Sequence, residues 1–235
     1  MRRFKGPAEQ LPEPIHPELR MRGTEPLKSS MTFNGNAEAI LSRKHWVFDL
    51  DGTLTLPVHD FSVIRNALGV PEGTDILGYL AALDDSEEQP LQDRLNEIET
   101  GLLDRIEPAP GLIQLIETLN RRGARIGILT RNTRDIALKT IDRLGIGDYF
   151  QKECILGRDD TPPKPDPEGL FRLSVQWDTA PVEMIMVGDY LFDLQTGRNA
   201  GAATIHVDRT RIFQWPELTD IGVGTLKELL DMLPT

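Results

Sequence analysis

The fold turns on Asp49-Leu50-Asp51-Gly52-Thr53, which follows the apolar run Trp46-Val47-Phe48 and precedes Leu54-Thr55. A short apolar run before a turn signal reads as a buried strand. Successive side chains of an extended chain alternate faces, so Asp49 and Asp51 are expected to point the same way. Two carboxylates that close raise each other's cost of ionising. Stability alone gives no reason for such a pair, and a divalent metal between them is the simplest compensation. Asp and Gly after an apolar strand can also mark a plain turn. The rest of the chain separates the two readings.

Further apolar runs follow the same pattern: Arg125-Ile126-Gly127-Ile128-Leu129, Met184-Ile185-Met186-Val187, Ala203-Thr204-Ile205-His206-Val207 and the weaker Cys154-Ile155-Leu156. Amphipathic stretches separate them. Leu112, Leu115, Ile116 and Leu119 share one helical face, and Gly123 stops that helix. Asn132 or Thr133 can cap the helix that runs to Leu144 and ends at Gly145. Asp166-Pro167 starts another, and Thr225 with Glu228 makes a capping box for the last. Strands alternating with helices predict an α/β fold, a Rossmann-like parallel sheet with helices on both faces.

Two segments break the rhythm. Residues 1–44 carry Pro7, Pro12, Pro14, Pro17 and Pro26 among few apolar residues, and read as a flexible or loosely docked extension. Residues 57–107 show helical pattern without a strand. Helices are expected at 61–69, 74–83 and 91–106, with Asp84-Asp85-Ser86-Glu87-Glu88 linking the last two. That length is too great for a simple loop and predicts a small helical cap. The α/β core is then 45–56 with 108–235.

Composition narrows the function. A net charge of −11 argues against a general nucleic-acid or anionic-membrane binder. No apolar stretch reaches the roughly 20 residues that span a bilayer. The single Cys154 cannot form an intramolecular disulfide, which fits a reducing compartment. A cytoplasmic protein, monomer or homodimer, is the expectation.

Four features fall at expected strand ends, where open parallel sheets bind ligands. They are Asp49 with Asp51; Thr130 with Arg131 and Asn132; Lys164, in a proline-rich loop; and Gly188-Asp189, with Asp193 four residues on. Singly, each has a plain reading as a cap, a turn or a solvated charge. Together they supply carboxylates, a hydroxyl and an amine at one edge of the sheet.

In order and spacing these residues resemble the haloacid dehalogenase-like hydrolase superfamily, over about residues 45–210 and closest to its phosphoglycolate-phosphatase-like branch. The resemblance rests on Asp49-Leu50-Asp51-Gly52-Thr53, Thr130-Arg131-Asn132, Lys164-Pro165-Asp166-Pro167, and Gly188-Asp189 with Asp193. It implies a Mg²⁺-dependent phosphatase acting on a small phosphorylated metabolite. Asp49 would be the nucleophile and Asp51 the general acid and base. Mg²⁺ would be held by Asp49, the backbone carbonyl of Asp51 and Asp189, with support from Asp193. Thr130 and Lys164 would hold phosphoryl oxygens, with Arg131 and Asn132 as further substrate contacts. Asp at position 51 favours phosphate-ester hydrolysis. A sugar phosphomutase keeps the same residue and stays open, as does a non-catalytic binding protein on the same fold. His206, Cys154, Trp177 and Trp215 read as structural, and His59, beside the cap, is the one histidine to watch.

Overall fold

A computed structural model describes residues 30–34 and 36–234 of the chain, and in it every expected apolar run is a strand. One sheet contains β1 (Ser30–Thr32), β2 (His45–Phe48), β3 (Arg125–Leu129), β4 (Ile155–Leu156), β5 (Met184–Gly188), β6 (Ala203–Val207) and β7 (Ile221–Val223). Their spatial order is β1-β7-β6-β5-β2-β3-β4, parallel except for the antiparallel pairing of β1 with β7. The helices are α1 (Ala37–Leu41), α2 (Phe61–Leu68), α3 (Ile76–Leu80), α4 (Asp85–Leu102), α5 (Leu112–Arg121), α6 (Arg134–Arg143), α7 (Glu168–Trp177), α8 (Leu191–Ala200) and α9 (Leu226–Met232). Among the described residues, no helix is long and apolar enough to cross a membrane.

Alternation along the central strands builds two cores. Trp46, Phe48, Ile126, Ile128, Ile185 and Val187 face one layer with Leu112, Leu115 and Ile116 of α5, Ile141 of α6 and Leu229 of α9. Val47, Leu129, Met184 and Met186 face the other, with Leu170, Leu173 and Trp177 of α7. Both faces being covered, β5 and β6 are buried at every residue, which is why they read as unbroken apolar runs. Cys154 is buried and accepts a hydrogen bond from the Trp177 indole at 3.1 Å, a packing role for both.

This topology also fixes where a ligand site can form. β3 and β4 lie to one side of β2, whereas the chain then returns to place β5, β6 and β7 on the other. The reversal puts the carboxyl ends of β2 and β5 at the switch point of the sheet, the usual ligand position in such folds.

The chain divides into two compact units, His59–Leu102 on one hand and, among the described residues, 30–58 with 103–234 on the other. The first is helical, with its own core of Ile64, Leu68, Val70, Ile76, Leu77, Leu80 and Leu95. Here α4 begins at Asp85, not at residue 91, so the acidic run expected as a linker is helix. Asp85, Glu87 and Glu88 suit that position, because the positive end of the helix dipole favours carboxylates in the first turn. Arg65 donates to the Thr74 carbonyl at 3.1 Å, and Arg94 to Glu97 at 2.9 Å.

The expected extension also changes. Residues 1–29 and 35 lie outside the described residues, but Ser30–Thr32 joins the sheet and α1 buries Ile40 and Leu41 against the main core. Asn36 caps α1 by accepting from the Glu38 and Ala39 amides. The folded core therefore starts well before residue 45. Leu41→Ala should lower unfolding free energy in urea by about 3 kcal/mol. A cost under about 0.5 kcal/mol, the range of an ordinary surface change, would return this segment to a loosely docked tail.

Candidate active site

β2 ends at Phe48, so Asp49 and Asp51 lie in the turn beyond the strand and not within it. The chain still holds a tight path there. The Asp49 amide donates to the Val187 carbonyl at 2.8 Å, and the Leu54 and Thr55 amides close back onto the Leu50 carbonyl at 2.9 and 3.1 Å. Leu50 and Leu54 are fully buried and pin the turn to the core. Gly52 has φ +84°, and a Cβ there would strike the Asp189 carboxylate. Only glycine meets both demands.

After β3, the Thr130 amide donates to the Leu156 carbonyl at 3.0 Å, and its hydroxyl accepts from the Asn132 amide at 3.1 Å. The Asn132 side chain gives an amide hydrogen to Asp51 Oδ2 at 2.5 Å. Thr133 caps α6 through the Ile136 amide. Arg131 donates to the Lys164 carbonyl at 2.6 Å, and its guanidinium lies 4.3 Å from the centre of the Phe192 ring. Arg131 and Asn132, both expected on substrate, thus brace the lysine loop and the Asp51 carboxyl.

Lys164 is 2% exposed, and its Nζ sits 2.5 Å from Asp49 Oδ1 and 2.5 Å from Asp193 Oδ1. Asp193 opens α8, and its second oxygen accepts from the Tyr190 amide at 3.0 Å. A Cβ on Gly188 would collide with the Asp193 side chain, so the glycine lets α8 come close to β5. Asp189 follows directly, with Thr53 Oγ1 3.5 Å from its Oδ1. Carboxylate oxygens of Asp49, Asp189 and Asp193 all lie within 4.8 Å of one another.

Burial and crowding set the electrostatics. Asp49 is pushed up to about 7, chiefly by burial, with Lys164 pulling down and Asp193 and Asp51 pushing further up. Asp51 is raised to about 6 by burial, against Lys164 and the Asn132 hydrogen bond. Asp189 stands well above the usual carboxylate range, again through burial and then through Asp49 and Asp193. Burial alone would lower Lys164, but Asp193 and Asp49 outweigh it and keep the ammonium charged. Four carboxylates share one ammonium, an excess of negative charge in a poorly solvated place. Hard oxygen donors at this spacing are the set that a divalent cation such as Mg²⁺ takes, so the residues fit one.

All the expected site residues are brought into direct contact or into each other's field, Thr130 through its bond with Asn132 and Arg131 through its bond with Lys164. Sequence reading assigned His206 to structure only. Its Nε2 lies 3.2 Å from the Asp189 carbonyl oxygen, a closeness that the register of β6 beside β5 creates and no local pattern marks.

Residues 62–207 match the model of the haloacid dehalogenase-like hydrolase family. That span holds Thr130, Lys164, Asp189 and Asp193, while Asp49 and Asp51 precede it. An uncharacterized hydrolase of Saccharomyces cerevisiae is 32% identical over 194 residues, covering 80% of this chain and 89% of its own. An N-acetylmuramic acid 6-phosphate phosphatase of Pseudomonas aeruginosa is 27% identical over 215 residues, covering 80% and 93%. Among solved structures, a hydrolase from Pseudomonas syringae aligns with a TM-score of 0.67 at 22% identity, over 82% of this chain and all of its own. Sheet order, the matched span and these likenesses agree: the chain belongs to the haloacid dehalogenase-like hydrolase family.

Proposed function

We propose that this protein is a Mg²⁺-dependent phosphatase that hydrolyses a small phosphorylated metabolite through an aspartyl phosphate on Asp49. The observation that carries the reading is the buried Lys164 ammonium set 2.5 Å from Asp49, with the Asp51 carboxyl nearby and held by Asn132. A nucleophile, a cation for phosphoryl oxygens and a separately braced acid are what phosphoryl transfer to a carboxylate needs.

In the first half-reaction an Asp49 oxygen bonds to phosphorus as the bond to the leaving oxygen breaks. Asp51 gives that oxygen its proton. In the second, Asp51 takes a proton from water as the water oxygen attacks the acyl phosphate, which frees inorganic phosphate and restores Asp49. Lys164 and Thr130 hold the phosphoryl oxygens throughout. Asp49, Asp189 and the Asp51 backbone carbonyl would hold Mg²⁺, with Asp193 bracing the group through Lys164. The cation supplies positive charge that offsets carboxylate–phosphate repulsion and polarises the phosphoryl group. The Pseudomonas aeruginosa relative, named for a sugar phosphate, supports a small phosphorylated substrate. The helical unit His59–Leu102 is the candidate for a cap that chooses among such substrates.

Phosphate release from a panel of sugar phosphates, phosphoglycolate and nucleoside monophosphates should require Mg²⁺ and vanish with excess chelator. Asp49→Asn should reduce it by about a thousandfold or more. Conversion of a sugar phosphate to its isomer without free phosphate would replace this reading with a mutase. Asn132→Ala removes the Asp51 hydrogen bond and should lower kcat by about 10–100-fold, as loss of a group that orients an active residue commonly does. An unchanged kcat would show that Asp51 needs no such brace.

A further inference from the structure

His206 is the buried polar group of this region to which the reaction gives no task. It sits in β6, 2% exposed, paired in register with Gly188 of β5. Its ring is boxed by Phe213, centroids 5.7 Å apart, and by Trp215 at 5.5 Å. Among the described residues Nδ1 has no hydrogen-bond partner, although it is fully buried. A buried polar atom left without a partner costs about 1–3 kcal/mol. A leucine or phenylalanine would avoid that cost, so packing alone does not account for an imidazole here.

The other nitrogen does account for it. Nε2 lies 3.2 Å from the backbone carbonyl oxygen of Asp189. A carbonyl only accepts, so the hydrogen resides on Nε2. One N–H aimed at one carbonyl is then the whole polar output of this side chain. The Asp189 carboxylate lies against Gly52, with Thr53 at 3.5 Å, its own backbone amide and the Arg209 charge as its other neighbours.

We propose that His206 is a positioning residue for the divalent cation, its Nε2–H fixing the Asp189 backbone so that the carboxylate stays aimed at Asp49. The proposal rests on the phosphatase reading only in taking Asp189 as a cation ligand. The ring touches neither substrate nor cation and acts through the Asp189 peptide alone. Outer partners of this kind commonly contribute 10–100-fold to metal affinity.

The test is calorimetric titration of the full chain with Mg²⁺ alone, beside thermal unfolding, for the wild type and three variants. His206→Phe keeps the aromatic packing and removes the donor. His206→Gln sets an amide hydrogen about where Nε2 stands, and His206→Asn stops short of it. Mg²⁺ should bind about tenfold more weakly to the Phe and Asn variants and within about threefold of wild type to the Gln variant. If the Phe variant does not fold, the Gln and Asn pair gives the same contrast. Unchanged affinity in His206→Asn, or equal losses in Gln and Asn that track their unfolding temperatures, would overturn the proposal. A wild type that binds no Mg²⁺ would overturn it too. A wild type that binds Mg²⁺ but hydrolyses no ester would refute the phosphatase instead.

Discussion

The Lys164 ammonium, held between Asp49 and Asp193, is the interaction on which the rest of this structure depends. A charge so deeply buried is tolerable only with close, well-aligned partners. The ammonium and its two partners come from three different places in the chain. Asp49 follows β2, Asp193 opens α8 after β5, and Lys164 lies in the loop between β4 and α7. They meet only because the strand order reverses beside β2. The sheet's topology and the charge cluster therefore require one another, and neither is arranged for stability alone.

Close approach is the second constraint. The carboxylates converge because two positions carry no side chain: Gly52, against which Asp189 rests, and Gly188, against which Asp193 rests. Around them hydrogen-bond donors do the steering, two of them neutral and one, Arg131, a cation. Asn132 holds Asp51, the Tyr190 amide holds Asp193, and Arg131 ties the lysine loop to the Thr130 turn. Neutral donors orient an acid without adding to the electrostatic load, whereas the single ammonium sets the charge balance. A divalent cation held among Asp49, Asp189 and Asp193 would complete that balance.

Much of this was legible in the sequence, for physical reasons that also mark the limits. β2, β3, β5 and β6 are covered on both faces, so they appear as apolar runs, and the residues just past β2, β3 and β5 belong to the site. β1 and β7 escaped. Ser30-Met31-Thr32 has no apolar pattern and owes its strand to pairing with Ile221–Val223, which lies far away along the chain. The start of α4 escaped because an acidic run reads equally as linker or as helix first turn. Side-chain partners are harder still. Nothing near Lys164 says that its ammonium reaches Asp49, 115 residues distant, or that Arg131 and Asn132 turn toward protein groups. His206 looked like one polar residue in a buried strand, and its meaning lies in the neighbouring strand's register.

The central claim is that Asp49 carries the phosphoryl group. Rapid acid quench during turnover of the best substrate, followed by mass spectrometry of the peptide containing residues 46–54, tests it most directly. The account predicts a peptide heavier by one phosphoryl group, with the label on Asp49. Steady phosphate release with that peptide unmodified at every quench time, even where borohydride is added to trap an acyl phosphate, would contradict it.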